Sequence, residues 1–160
     1  MKKTMAFRLL PDIHIAVNSA DDPSDEEWQA YTSAVIAKLD RGYDIARMRT
    51  LVVSDGGGPN AAQRKIVNTS LAGRPTRVAL VSSSVAIRSI TTALGWFNSQ
   101  IKSFSPGDVT SAFRFLDIPE SDYAWIWSEV QSLATELPGK HVKSVIGGMA
   151  VAPGKHRAAS

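Results

Sequence analysis

Between Thr50 and Phe97 the chain twice repeats one grammar: a short apolar run, an abrupt turn of small or polar residues, then a periodic apolar segment. Leu51, Val52 and Val53 run into Ser54-Asp55-Gly56-Gly57-Gly58-Pro59-Asn60, a stretch through which no regular strand continues. Val78-Ala79-Leu80-Val81 runs into Ser82-Ser83-Ser84, followed by Ile87, Ile90, Leu94 and Phe97 at helical spacing. Two successive strand-turn-helix units predict parallel strands, because a parallel pair needs a long return path and a helix supplies it. The predicted class is α/β: a single domain with a mixed, mostly parallel sheet of about four to five strands, flanking helices, and an extra C-terminal helix and tail.

Other segments add to this frame. Ile13, Ile15 and Val17 alternate with Asp12, His14 and Ala16, predicting a half-buried strand that pairs as a hairpin with residues 7–10 if Pro11 sits at the turn. On this pattern His14 faces solvent. Ser24-Asp25-Glu26-Glu27 carries a capping serine with a glutamate three residues on, so a helix starts there and presents Trp28, Tyr31, Val35 and Leu39 to the core. Its acidic first turn is a cap; adjacent carboxylates on one turn diverge, which argues against a metal cluster. Gly42 suits a left-handed cap position. After the glycine turn, Pro59 or Asn60 opens a helix whose inward face is Ala62, Ile66, Val67 and Leu71. Ile101-Lys102-Ser103-Phe104 is a short strand, Ser105 to Asp108 caps a helix with Val109, Ala112, Phe113 and Leu116 on one face, and Pro119 starts another with Tyr123, Ile126, Val130, Leu133 and Leu137. Trp125 and Trp127 cannot share a face, so at least one is partly exposed. Residues 1–137 are expected to form the domain. Residues 138–160, rich in glycine, small residues and basic charge, are expected to be a flexible or partner-ordered basic tail.

Composition narrows the function classes. The chain has 160 residues, 44% of them hydrophobic and 21% charged, which excludes a wholly disordered protein. The start is broken by Arg8, Pro11, Asp12 and His14 before any long apolar run, and no transmembrane segment or signal peptide is expected. Without cysteine there are neither disulfides nor thiolate metal sites, and the expected address is cytoplasmic. The net charge of +3 sits partly at the two ends of the chain, a pattern of tails rather than of a nucleic-acid surface, so no nucleic-acid partner is expected.

The candidate site lies where the two turns leave parallel strands, since loops at the carboxyl ends of neighbouring strands open onto a common crevice. Asp55, Gly56, Gly57, Gly58 and Asn60 form one wall, with Arg64 on the following helix; Ser82, Ser83, Ser84 and Arg88 form the other. The glycine turn has no lysine and hydroxyl pair after its last glycine, so it is not a nucleotide-triphosphate loop, and its glycines lack dinucleotide spacing. Either it is a tight turn with a helix cap or it contacts phosphate, an acidic group or a protein partner. A nucleophilic serine needs a base; the histidines are His14, His141 and His156, two of them in the tail, and no Gly-x-Ser-x-Gly elbow is present. No catalytic residue, metal ligand or cofactor is expected.

The order of elements resembles the STAS superfamily, in its SpoIIAA-like branch, over about residues 7–118. The strings that carry the likeness are Pro23-Ser24-Asp25-Glu26-Glu27-Trp28, Leu51 to Gly56, Val78 to Ser84, and Ile101 to Phe104 with Ala112-Phe113-Arg114-Phe115-Leu116. The resemblance implies a non-enzymatic module that binds protein partners or, in lipid-binding cousins, a hydrophobic ligand. In regulatory STAS proteins a serine or threonine at the start of the second helix is phosphorylated. The matching stretch here, Gly56 to Asn60, has no hydroxyl residue, and Ser54 lies too early in the strand, which argues against such a switch. The expectation is a regulatory or scaffolding protein with a protein partner or homo-oligomer; the alternative is a protein for a small anionic or lipid ligand held in the crevice.

Overall fold

The computed structural model describes residues 2–95 and 100–137. Five strands form one sheet in chain order: β1 (Met5–Leu9), β2 (His14–Asn18), β3 (Arg49–Ser54), β4 (Arg77–Ser82) and β5 (Ile101–Phe104). β1 and β2 are antiparallel; every later neighbour is parallel. The hairpin turns at Pro11 and Asp12 and closes with a 2.9 Å bond from Leu10 N to Ile13 O. The parallel connections carry α1 (Asp25–Asp40), α2 (Ala61–Ser70) and α3 (Val85–Gly95), and α4 (Val109–Phe115) and α5 (Tyr123–Thr135) follow. Right-handed crossovers along a sheet in sequential order place α1, α2 and α3 on one face. α4 and α5 cover the other.

Period-two alternation sorts the strand residues between two cores. Ile15, Val17, Leu51, Val53, Ala79 and Val81 point into a cluster closed by Phe113, Leu116, Ile126, Val130 and Leu133. Ala16 points the other way, toward Trp28, Tyr31, Val35, Ile45, Met48 and Leu71. Both faces of β2 are therefore covered, as a strand inside a parallel sheet requires. His14 consequently does not face solvent: it is fully buried under α1, with Nε2 3.0 Å from Lys38 Nζ. An ammonium can only donate, so Nε2 accepts and the ring proton sits on Nδ1, which is buried with no acceptor. Burial first, and Lys38 second, lower the His14 pKa to about 4.

α1 begins as its sequence predicts. Ser24 Oγ accepts from Glu27 N, and Glu27 answers by accepting from Ser24 N. The same carboxylate also accepts from Thr4 N, Thr4 Oγ1 and Met5 N, so it pins the start of β1 to the helix. Burial pushes the Glu27 carboxyl upward, but these hydrogen bonds outweigh it and leave the pKa lowered. Gly42 closes the helix at φ 94°. At the far end α5 is tied to β1 by an Arg8–Glu129 ion pair.

Three expectations resolve at residue level. Trp125 is 45% exposed while Trp127 is buried, so the pair divides as its spacing requires. On α2 the inward face is Gln63, Val67 and Leu71, whereas Ala62 and Ile66 point outward, Ile66 being 52% exposed. The helix is rotated because Gln63 is used internally, as the site geometry makes plain. Leu94, Phe97 and the tail from 138 to 160 lie outside the residues whose side chains are described.

Candidate functional site

The two strand ends lie side by side, with Ser54 of β3 in register with Ser82 of β4. The loop after β3 folds away from β4, onto the segment that joins β2 to α1. Gly57 N donates to Ser19 O at 2.9 Å, and Gly58 N donates to Asp22 Oδ1 at 3.0 Å. Ser54 Oγ accepts from Gly56 N and donates to Gly57 O, closing the turn on itself. Gly57 is required by contact: a Cβ there would stand 2.0 Å from Asp21 O and 2.7 Å from Ser19 O. Gly56 is required by backbone conformation, at φ 133°.

The helix that follows is anchored the same way. Asn60 caps α2 by accepting from Gln63 N, while Gln63 Oε1 accepts from Asn60 N. Gln63 Nε2 then donates to Pro23 O and Asp25 Oδ1, both at 3.0 Å, and Gln63 O accepts from the Trp28 indole at 2.8 Å. A glutamine that satisfies both ends of its amide this way has to face inward, which turns Ile66 to solvent. Arg64 Nη1 donates to Pro59 O.

The loop after β4 is built from fewer and shorter-range contacts. Ser82 is buried, and its Oγ accepts from Ser84 N at 3.1 Å. Ser84 Oγ accepts from Ile87 N at 3.4 Å, a loose cap for α3. Ser83 is exposed, and Val85 is 68% exposed at the first position of the helix. Arg88, half-buried one turn on, has its Nε buried with no hydrogen-bond partner. α3 reaches the glycine loop where Ile87 Cδ1 lies 3.5 Å from the position a Cβ would take at Gly58.

The fold thus brings every predicted residue to one edge of the sheet but gives them unequal roles. Gly56, Gly57, Gly58 and Asn60 make structural bonds; Asp55 is half-buried. Ser83, Ser84, Arg64 and Arg88 keep surface toward solvent. The inward face expected from the sequence, Ala62, Ile66, Val67 and Leu71, left out Gln63, and neither Asp22 nor the Trp28 indole was singled out as a partner of this edge. The signal for Gln63 was its position three residues after Asn60, the capping-box spacing. His14 stands at the opposite edge from Ser82, paired with Thr50 at the start of β3, so it cannot serve a serine there. Among the described residues no group of three or more His, Asp or Glu side chains is placed to hold a metal ion, and no helix is long and apolar enough to cross a membrane.

Comparison with known proteins agrees with this architecture. No curated protein and no solved structure matches the chain. A family model does, described as SpoIIAA-like, over residues 14–117, which run from the first residue of β2 to just past α4 and leave β1 and α5 outside. A match over that much of the chain, on a five-stranded, mostly parallel sheet with flanking helices, makes the chain a member of the SpoIIAA-like family of the STAS superfamily.

Proposed function

We propose that this chain is a non-enzymatic regulatory or scaffolding module of the cytoplasm that works by protein–protein contact. One observation carries the proposal. Ile66, Val85 and Ile90 are 52%, 68% and 49% exposed on α2 and α3, two helices of the same face, beside the candidate edge. Large exposed aliphatic side chains on the two helices that also carry Arg64 and Arg88 supply apolar surface with polar neighbours, the composition of a recognition face. The anchored glycine loop keeps that surface in place. Size-exclusion chromatography with light scattering, together with crosslinked pulldown, tests the idea on the wild type and on a variant carrying Ile66→Asp, Val85→Asp and Ile90→Asp. A partner or a self-associated form that the variant loses is the expected result; a wild-type monomer with no partner overturns it.

A second reading, a small anionic ligand at the same edge, is favoured by Arg88 alone. A buried guanidinium N–H without an acceptor is rare, and an anion would supply one. Thermal shift with acidic ligands, lost in Arg88→Gln, separates this reading from the first.

A further inference from the structure

At the amino-terminal edge of the sheet, opposite the candidate site, a recess of about 280 Å³ is lined by Arg47, Arg49 and Arg77 with Asp12, Gln100 and Asp117. Arg49 and Arg77 are register partners on the parallel strands β3 and β4, so two like charges stand side by side. Such a pair is destabilising unless something neutralises it.

The available carboxylates do so only partly. Arg49 is held by backbone carbonyls: Nε and Nη2 donate to Asp12 O at 3.2 and 3.0 Å, and Nη1 donates to Leu116 O and Asp117 O at 2.6 and 3.0 Å. These bonds fix the guanidinium without cancelling its charge. Arg77 pairs with the Asp117 carboxylate and also donates to Phe115 O at 3.3 Å. Arg47 reaches Asp12 Oδ1 only at 3.5 Å. The two carboxylate side chains are 67% and 74% exposed, so both pairs are solvent-screened and readily exchanged for a stronger anion. Asp117 holds its place at φ 53°, a left-handed conformation that presents its carbonyl to Arg49 and its carboxylate to Arg77.

We infer that this recess is an anion site, and that it takes the phosphate or diphosphate group of a small molecule. Three guanidinium groups line the recess with two exposed carboxylates; Arg47 and Arg77 can turn planar N–H forks to phosphate oxygens in pairs, and Arg49, held on backbone carbonyls, adds its charge. The recess has room for a compact dianion with a small substituent and lies at the lower end of the size of ligand pockets. In this arrangement Asp117 is a competitor for Arg77 that an arriving phosphate displaces.

Isothermal titration of the full chain with pyrophosphate and with inorganic phosphate, at matched ionic strength against chloride, tests the inference. Binding to the wild type should weaken at least about tenfold in Arg77→Gln and severalfold in Arg47→Gln. It should tighten severalfold in Asp117→Asn, which removes the competitor while asparagine keeps the left-handed backbone. Arg47→Gln and Asp117→Asn alter exposed side chains, so the test does not depend on Arg49, whose loss also unties the hairpin from α4. Co-sedimentation with phosphatidic-acid vesicles, blocked by pyrophosphate, assigns the phosphate to a lipid headgroup; pyrophosphate binding without vesicle binding assigns it to a soluble molecule. Absence of pyrophosphate binding, binding lost only in Arg88→Gln, or equal or weaker binding in Asp117→Asn overturns the inference.

Discussion

The loops after β3 and β4 follow the same sequence grammar and end in register, yet one is fastened and the other open. Ser54 at the end of β3 and the six residues after it place the Gly56, Gly57 and Gly58 amides, a serine hydroxyl and an asparagine cap in bonds to the turn itself, to the β2–α1 segment or to the start of α2. The loop after β4 has the Ser82 and Ser84 hydroxyls, each bonded within three residues. A glycine run at a strand end is thus a clamp here, formed where backbone must touch backbone. The serine run leaves surface, and the exposed aliphatic residues begin beside it.

The comparison can be broken most forcefully at Gly57. Gly57→Ala drives a methyl into the Asp21 and Ser19 carbonyls and should cost about 3 kcal/mol or more in urea unfolding; a loss under about 0.5 kcal/mol would mean the clamp yields freely. Acid comes next, acting on the strand to which the clamp is fixed. His14 is neutral in the folded state, with its pKa lowered from 6.5 to about 4, so the unfolded chain binds the extra proton in that window. Stability should therefore be intact above pH 6.5 and fall by about 3 kcal/mol as pH drops toward 4, checked by urea titrations across that range and by the His14 ring signals in NMR. A His14 titration near 6.5 would mean that water reaches the ring.

Asn60→Ala removes the α2 cap and leaves the Gln63 backbone N–H without its acceptor, an expected loss of about 1 kcal/mol by thermal or urea denaturation. On the open loop, Ser83→Ala should change stability by less than about 0.5 kcal/mol. Similar losses at the two positions would erase the distinction between the loops.

The reasons for what the sequence revealed are physical. Parallel pairing, the hairpin at Pro11, the capping box at Ser24 and the faces of α4 and α5 were legible because each depends on local periodicity or a turn residue. His14 was misplaced because alternation does not tell how many faces of a strand are covered; α1 supplies the second cover. Ile66 was misplaced because hydrophobicity alone ranked it above Gln63, while the bonds from Gln63 to Pro23 and Asp25 set the rotation of α2. The positions of the site residues on one edge were readable from topology. Their division into clamp and surface depends on contacts across about forty residues of chain, such as Gly58 to Asp22, which no local pattern encodes.

Amide hydrogen exchange, resolved by NMR, reads the contrast directly. The Gly57 and Gly58 amides, both bonded to the β2–α1 segment, should exchange at least about tenfold more slowly than those of Ser83 and Val85. Equal rates in the two loops, or faster exchange at Gly57 and Gly58, would contradict the assignment of one as clamp and the other as open surface.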